Sequence, residues 1–211
     1  MNEADTCREY VLPKLQQAGW ERPPHVLAEQ QSITDGRIVT LGQTAKRLRR
    51  KRPDYLLRYA AHQTIAVVEA KREHKSPATG LQQAKVYAEM LGLKFAYATN
   101  GQGIVEFDYI TGRQSELAEF PTPAELWSRL HGQDHFADPA ARQQLLTPYQ
   151  PLPGKTTRYF QEIAINRAFE ALLSGQTRVL LTGATGTGKT YIAFQLCWRL
   201  WNLRWIAKGE Y

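Results

Sequence analysis

Apolar and polar positions along this chain follow two periods, and together they predict an α/β architecture. Residues 3–18 carry the apolar stripe of an amphipathic helix, which Gly19 ends. Residues 64–71 contain the run Ile65-Ala66-Val67-Val68, which is apolar on both faces and therefore predicts a strand in the centre of a sheet. Asp54–Tyr59 predicts a preceding strand beside it.

The remaining apolar segments complete the predicted order of elements. Val26–Ile33 and Arg37–Leu41 flank Thr34-Asp35-Gly36, and an Asp-Gly pair between apolar runs predicts a hairpin. We expect the basic stretch that follows to be a loop. Further helices are predicted over residues 78–91, Tyr159–Leu173 and 189–201, and further strands over Phe95–Thr99, Ile104–Tyr109 and Arg178–Thr182.

The chain changes character in its second half, where turn-forming and proline-rich segments replace the alternating pattern. His131-Gly132-Gln133-Asp134 and 147–154 are typical of turns and linkers. We therefore predict a first domain over residues 1–130, a linker over 131–156 and a second domain that begins at 157.

Composition narrows the class of protein. Of the 211 residues, 43% are hydrophobic and 22% charged, as in ordinary globular proteins, and no apolar run is long enough to span a bilayer. The acidic N-terminus is not a secretory signal, and Cys7 and Cys197 lack metal-ligand spacing, which indicates reduced thiols in a cytoplasmic protein. The net charge is +7, and residues 46–58 hold seven cations against Asp54, a local net of +6.

That local charge predicts a phosphate-binding surface. Such contacts with DNA would be independent of sequence, because phosphates position a protein without specifying bases. The alternative is a flexible, solvated loop. The candidate DNA-binding residues are Arg47, Arg49, Arg50, Lys51 and Arg52.

Asp54, Glu69 and Lys71 form the candidate active site. Side chains alternate along a strand, so Glu69 and Lys71 lie on one face, and Asp54 reaches them if the two strands are neighbours. Two carboxylates suit Mg²⁺, and a lysine can stabilise the charge that develops on a phosphate during hydrolysis. The alternative is a solvated Glu–Lys pair at a strand end. The apolar central strand and the adjacent basic stretch favour a nuclease site.

A glycine-rich loop gives the second chemical signal. Gly183-Ala184-Thr185-Gly186-Thr187-Gly188-Lys189-Thr190 matches G-x-x-x-x-G-K-T in full, between an apolar segment and a predicted helix. This pattern predicts ATP binding, with Lys189 on the β- and γ-phosphates and Thr190 on Mg²⁺. The candidate nucleotide-binding residues are Gly183, Thr185, Gly186, Thr187, Gly188, Lys189 and Thr190.

Only 21 residues follow Thr190, although ATP hydrolysis needs a carboxylate that usually lies on a later strand. We expect sequence beyond Tyr211 to supply that strand and an Asp-Glu motif. We also expect residues 1–211 alone to bind DNA weakly and to hydrolyse ATP poorly or not at all.

Residues 53–71, followed by Gln83-Ala84-Lys85-Val86-Tyr87, resemble the nuclease and Gln-x-x-x-Tyr motifs of type I restriction enzyme R (restriction and translocation) subunits. The resemblance implies a restriction-endonuclease-like PD-(D/E)xK fold, a mixed sheet flanked by helices, followed by the start of a RecA-like superfamily 2 motor domain. It further implies double-stranded DNA as substrate, modification and specificity subunits as partners, and ATP-driven translocation before cleavage.

The same resemblance implies roles for individual residues. Asp54 and Glu69 would bind metal, Lys71 would be the catalytic lysine, and Gln83 and Tyr87 would support the site or hold DNA. Related nucleases often add an acidic residue from the first helix, for which Glu9 is the candidate and an exposed helix acid the alternative.

Arg158-Tyr159-Phe160-Gln161 resembles the adenine-reading element of superfamily 2 helicases, which would place Gln161 on the base, and an ordinary helix-start glutamine is the alternative. Two rival functions remain for the whole chain. One is a repair helicase–nuclease, and the other is a DNA-binding adaptor that does not cut. The intact set of Asp54, Glu69 and Lys71 argues against the adaptor.

Overall fold

The structure of this protein is a computed structural model that describes residues 3–33, 38–41, 44–47 and 51–203. The chain divides into two compact units, Met1–Leu130 and His131–Tyr211. The described strands are β1 Val26–Glu29, β2 Ile38–Leu41, β3 Thr44–Arg47, β4 Tyr55–Ala60, β5 Gln63–Ala70, β6 Phe95–Thr99, β7 Ile104–Asp108 and β8 Arg113–Leu117. The described α-helices are α1 Glu3–Thr6, α2 Leu12–Gln17, α3 Leu81–Leu91, α4 Pro123–His131, α5 Pro139–Leu145, α6 Tyr159–Leu173 and α7 Lys189–Asn202.

A six-stranded mixed sheet forms the centre of the first unit, in the order β1-β4-β5-β6-β7-β8. Only the β5–β6 pair is parallel, and α3 makes the crossover between those two strands. Residues 65–70 of β5 are all buried, which confirms the prediction of a strand in the interior of the sheet. Its apolar residues are covered on both faces, so the absence of alternation in the sequence has a direct structural cause.

Helix α3 packs on one face of this sheet. Leu81 of α3 contacts Ala98 and Val105, which are opposite each other on β6 and β7. Residues opposite each other on paired strands point to the same face, and Glu69 is opposite Ala98. The candidate active-site face is therefore the face that α3 covers.

Helix α4 contacts the other face through a cluster of charged groups. Arg129 donates to both carboxylate oxygens of Glu106, at 2.7 and 2.9 Å, and to Asp108 at 3.0 Å. Tyr97 donates to Glu106 at 2.5 Å, and burial followed by the Glu106 charge raises the pKa of Tyr97 well above its usual value. The guanidinium of Arg129 also lies 4.7 Å from the centre of the Phe95 ring. These contacts fix α4 and leave the α3 face to the candidate site.

The first helix, predicted over residues 3–18, consists of α1, a π-helical turn Cys7–Val11 and α2. Val11 and Leu15 are fully buried, and Gly19 follows the helix with φ at +96°. The helix packs against the β6–β7 turn, because a Cβ placed on Gly101 would lie 2.6 Å from Cβ of Tyr10.

The predicted hairpin between Val26–Ile33 and Arg37–Leu41 is wrong. Strand β1 pairs with β4 in the main sheet, whereas β2 pairs with β3 in a separate two-stranded sheet. The turn Thr34-Asp35-Gly36 lies outside the described residues. Pairing with β4 places β1 beside a buried strand. The hairpin was predicted from an Asp-Gly turn signal, which carries no information about a partner strand farther along the chain. Lys46 and Arg47, expected in a loop, lie in β3.

Two further differences concern strands. Strand β8 completes the edge of the main sheet and was not predicted, because its sequence Arg-Gln-Ser-Glu-Leu has no apolar alternation. The predicted strand Arg178–Thr182 is absent: these residues form no strand, and the Leu180 side chain is 89% exposed. A strand needs a partner to form ladder hydrogen bonds. The described residues of the second unit contain no strand that could pair with Arg178–Thr182.

The second unit is helical. Helix α6 spans Tyr159–Leu173 as predicted, and Tyr149, Ile165 and Ile192 form a small core between the segment before α6, α6 itself and α7. Residues 131–156, expected to form a linker, include a 3-10 helix at His135–Ala137 and helix α5, which packs against α6. This stretch thus contributes to the second unit.

Helix α7 buries polar groups and exposes apolar ones. Gln195 exchanges two hydrogen bonds with the backbone of Gln150, at 2.8 and 2.9 Å. Arg199 donates to the carbonyl of Leu145 and lies 3.7 Å from the Phe169 ring centre, and burial lowers its pKa to about 10. Trp201, in contrast, is 65% exposed. Helix α7 therefore leaves large apolar side chains in contact with solvent.

Within the described part of the chain, no helix is both long and apolar enough to cross a membrane.

The close approach of Gly101 and Tyr10 makes a prediction about stability. Gly101→Ala would combine a positive φ of +88° with a steric clash, whereas Gly112→Ala would have a similar φ of +71° and open space around it. We expect the first substitution to lower the free energy of unfolding by about 1–3 kcal/mol more than the second, because overpacking adds to backbone strain. Urea unfolding measures the difference, and equal losses would show that the helix does not pack on this turn.

Candidate active site and phosphate loop

The register of β4 against β5 places Asp54 beside Glu69. Tyr55 is opposite Val68, so Asp54, which directly precedes β4, lies level with Glu69 on β5. A carboxylate oxygen of Asp54 accepts a hydrogen bond of 2.7 Å from the backbone N–H of Ala70. Strands β4 and β5 are neighbours as predicted, and Asp54 is fixed at the end of β5, next to Glu69, with Lys71 directly after that strand end.

Glu69 and Lys71 form an ion pair on the face that α3 covers. Lys71 Nζ lies 2.8 Å from Oε1 of Glu69, and the two side chains are 14% and 4% exposed. The backbone N–H of Lys71 donates to the carbonyl of Thr99 at 2.8 Å, which fixes the position of Lys71 just after β5. Taking two charges out of water carries a large desolvation cost, so this pair is weak evidence for stability. It is not the solvated surface pair that we considered as the alternative.

Gln83 and Tyr87 lie on one face of α3, as their spacing predicts. Gln83 Nε2 donates to the hydroxyl of Tyr87 at 2.8 Å. Burial raises the pKa of Tyr87, and the charges of Glu69 and Asp54 raise it further, whereas Gln83 and Lys71 act in the opposite direction. The tyrosine is therefore within electrostatic range of all three residues of the candidate site.

Gly80 contributes to the site and was not singled out from the sequence. It ends the 3-10 helix Pro77–Gly80, and a Cβ at this position would lie 3.2 Å from Cγ of Glu69 and 3.3 Å from Cγ of Lys71. A larger residue would push against both side chains. The only sequence signal is a glycine immediately before the helix that carries Gln83, and its contact with β5 is a tertiary one.

Asn100 is a second residue whose contribution emerges from the structure. Its amide donates to the carbonyls of Glu73 and Lys75, in the segment that follows Lys71. The turn Thr99-Asn100-Gly101 is visible in the sequence, but the residues it contacts are distant along the chain.

The candidate DNA-binding residues are only partly described. Lys51 Nζ approaches the sulfur of Met90 on α3 at 3.7 Å, and Arg52 Nε donates to the hydroxyl of Ser32 at 3.1 Å. Arg47 lies in β3, and Arg49 and Arg50 lie outside the described residues. Binding of DNA by this basic stretch stays a prediction.

The first helix reaches β4 through its backbone. The hydroxyl of Tyr55 donates to the carbonyl of Cys7 at 3.2 Å. Glu9, the candidate for a third acidic residue, lies on the same π-helical turn with an exposed side chain. Among the described residues there is no group of three or more His, Cys, Asp or Glu side chains arranged to hold a metal, so the site offers the two carboxylates of Asp54 and Glu69.

The phosphate loop in the second unit ends where α7 begins. Gly188 precedes α7 with φ at +84°, a conformation that glycine adopts without strain. Lys189 Nζ donates to the carbonyls of Gly183 and Ala184 at 2.9 and 3.1 Å, and the Thr187 hydroxyl donates to Ala184 at 2.7 Å. The ammonium group of Lys189 therefore lies within the loop that the sequence assigns to phosphate binding.

Gln161 connects helix α6 to this loop. Its Oε1 accepts from the backbone N–H of Arg158 at 3.0 Å, and its Nε2 donates to the carbonyl of Thr187 at 2.9 Å. A Cβ on Gly188 would clash with Nε2 of Gln161 at 2.4 Å. The residue is therefore buried against the loop, in contrast to the exposed helix-start glutamine that was the alternative, and contact with an adenine base stays a prediction.

Comparisons with known proteins bear on both units. Residues 154–208 match the family model described as type III restriction enzyme, res subunit. The chain is 38% identical, over 211 aligned positions and 96% of its own length, to the type I restriction enzyme EcoAI endonuclease subunit of Escherichia coli. It is 31% identical over 120 positions, 51% of its length, to the EcoKI endonuclease subunit of Escherichia coli strain K12.

A solved structure is also similar. The fragment structure described as an HsdR subunit of a type I restriction enzyme from Vibrio vulnificus YJ016 superimposes with a TM-score of 0.85 at 53% identity, over 97% of this chain and 39% of that one. The chain spans 26% of the EcoAI subunit and 10% of the EcoKI subunit.

The proximity of Glu69 to Tyr87 can be tested by titration. Glu69→Gln removes a negative charge that raises the pKa of Tyr87, and so this pKa should fall. Glu89→Gln is the matched control: Glu89 accepts from the Tyr109 hydroxyl at 3.1 Å, and after burial it contributes to raising the pKa of Tyr109 to about 12. The control should lower the pKa of Tyr109 and leave that of Tyr87 unchanged, as followed by NMR of the tyrosine rings. An unchanged Tyr87 in Glu69→Gln would place the carboxylate elsewhere.

Proposed function

Because the chain is homologous over nearly its whole length to endonuclease subunits of type I restriction enzymes, we propose that its first unit is a Mg²⁺-dependent DNA endonuclease domain with a PD-(D/E)xK fold. The second unit would belong to an ATP-dependent motor that translocates double-stranded DNA. The observation that carries the proposal is the grouping of Asp54, Glu69 and Lys71 at one end of β4 and β5.

The donor set of the site fits Mg²⁺. Asp54 and Glu69 supply the hard carboxylate oxygens that this ion prefers, and two carboxylates leave the rest of its coordination shell to water and phosphate oxygens. When bound, Mg²⁺ polarises the scissile phosphate and lowers the pKa of a bound water. The hydrogen bond from Ala70 holds the Asp54 carboxylate in place beside Glu69.

Lys71 would supply a positive charge to the site from the protein, in addition to that of the metal ion. Its ammonium group lies 2.8 Å from Glu69, and in the proposed mechanism it turns from the carboxylate to a phosphate oxygen when DNA binds. In a site that excludes water, such a charge stabilises the developing negative charge more strongly than in solution. Gln83 and Tyr87, joined by a hydrogen bond, would form the adjacent wall and hold the DNA backbone.

The second unit would bind ATP through its phosphate loop. Lys189 would exchange its hydrogen bonds to Gly183 and Ala184 for the β- and γ-phosphates, while Thr190 would bind Mg²⁺. The N-terminus of α7 adds its partial positive charge at the same point. Gln161 would read the adenine from its place beside Thr187.

In the cell, the partners would be modification and specificity subunits, with translocation driven by ATP before the cut. The homology to these endonuclease subunits supports this assignment, and the proposal extends to a cytoplasmic location.

The lysine is the sharpest test of the nuclease site. In the assembled enzyme with Mg²⁺ and ATP, Lys71→Ala should slow plasmid cleavage by about 100-fold or more, the size of effect seen when a single charge-stabilising group is removed. Lys94→Ala removes an exposed lysine outside the site and should cut at the normal rate. If Lys71→Ala also cuts normally, the proposed site is wrong.

The phosphate loop has a separate test. Lys189→Ala should abolish ATP-dependent translocation, because the loop loses its contact with the β- and γ-phosphates. Displacement of a triplex from DNA follows translocation directly. The affinity of the first unit for Mg²⁺ should be unchanged in this variant, and translocation at the normal rate would remove the loop from the mechanism.

A further inference from the structure

The segment directly after Lys71 presents cations beside the candidate site. Residues 72–76, which lie in no helix or strand, are referred to below as the 72–76 loop. Its side chains Arg72, His74 and Lys75 are exposed. Neither Arg72 nor Lys75 forms an ion pair within the described part of the chain. The loop begins at the residue after Lys71, so its backbone starts at the candidate site.

Asn100 fixes the backbone of this loop. Its Nδ2 donates to the carbonyls of Glu73 and Lys75, at 3.1 and 2.9 Å. Its Oδ1 accepts from the backbone N–H groups of Gln102 and Gly103, at 3.0 and 2.9 Å. Both donors and both lone pairs of the amide are therefore used, and the side chain is nearly fully buried. One residue thus joins the β6–β7 turn to the 72–76 loop.

Other contacts reinforce this connection. Gln102 Nε2 donates to the carboxylate of Glu73 at 2.8 Å, which engages the only acidic group of the loop. Lys14 Nζ donates to the carbonyl of Gln102 at 3.2 Å. Pro77 packs so closely on Gly103 that a Cβ there would lie 2.8 Å from Cγ of the proline. The turn is therefore held from the first helix and from both ends of the loop.

We propose that the 72–76 loop binds the sugar–phosphate backbone of DNA next to the scissile phosphate through Arg72 and Lys75, and that Asn100 is its positioning residue. The inference rests on the proposed function for DNA as the ligand. A loop whose backbone is already ordered loses less conformational entropy when it binds, so two cations suffice to fix the register of the strand at the site. These contacts are additional to those of the basic stretch that ends at Arg52.

The salt dependence of DNA binding distinguishes phosphate contacts made by the 72–76 loop from a general effect of the chain's positive charge. Binding of labelled duplex DNA by the chain is measured by fluorescence anisotropy over a range of salt concentrations, in the Glu69→Gln background to prevent cutting. Each phosphate contact contributes about 0.9 to the slope of log K against log salt, so Arg72→Gln with Lys75→Gln should reduce the slope by about 1.8. The control, Arg22→Gln with Arg113→Gln, removes the same charge from exposed positions away from the loop and should leave the slope unchanged.

Asn100 is tested by an isosteric change. In Asn100→Asp, Oδ1 still accepts from the turn, but an oxygen replaces the donor to the two loop carbonyls. The substitution should weaken DNA binding in the parent chain and have little further effect in the Arg72→Gln, Lys75→Gln background, because the two act through one loop. Trypsin cleavage after Arg72 and Lys75 should become faster in Asn100→Asp.

The outcomes distinguish this inference from the proposed function. Equal slopes for the loop and control pairs, an additive effect of Asn100→Asp, or no binding of DNA at all would overturn the loop assignment. If DNA binding depends on Arg72, Lys75 and Asn100 as expected but the assembled enzyme with an intact Glu69 does not cut DNA, the proposed nuclease activity fails and the loop assignment stands.

Discussion

The antiparallel register between β4 and β5 is the constraint on which the candidate site depends. Tyr55 opposite Val68 places Asp54 level with Glu69 and lets its carboxylate accept from Ala70. A slip of one residue would turn every side chain of one strand to the other face of the sheet. Residues 65–70 of β5 are buried, so such a slip would also disrupt the close packing of these side chains against their neighbours.

The same packing buries charged groups at a cost in free energy, for which the proposed function gives a reason. Glu69 and Lys71 lie at the end of a buried apolar row, where removing charge from water costs several kcal/mol per ion before pairing offsets it. The ion pair and the close approach of Gly80 make the site compact, and the side chains of Glu69 and Lys71 are largely shielded from solvent. A stable fold would be served as well by apolar residues here. We interpret the charged groups as retained for chemistry on phosphate.

Features with a local cause could be predicted from the sequence. The apolar run predicted the buried position of β5, and the spacing of four indicated the shared face of Gln83 and Tyr87. Alternation predicted that Glu69 and Lys71 lie on one face, but not that they form a largely buried ion pair. Features set by distant partners could not. The pairing of β1 with β4 replaced a locally plausible hairpin, and Gly80 and Asn100 matter only through residues brought to them by the fold. Arg178–Thr182 has the composition of a strand but no described partner.

The central claim is that Asp54 and Glu69 together bind the metal ion of the proposed nuclease site, beside Lys71. Anomalous diffraction from crystals of the chain soaked in Mn²⁺, a substitute for Mg²⁺ that can be located directly, tests it without any assay of activity. The account predicts a manganese peak between the carboxylates of Asp54 and Glu69, and its loss in Asp54→Asn. A peak bound by other residues, or one that persists unchanged in Asp54→Asn, would contradict the account.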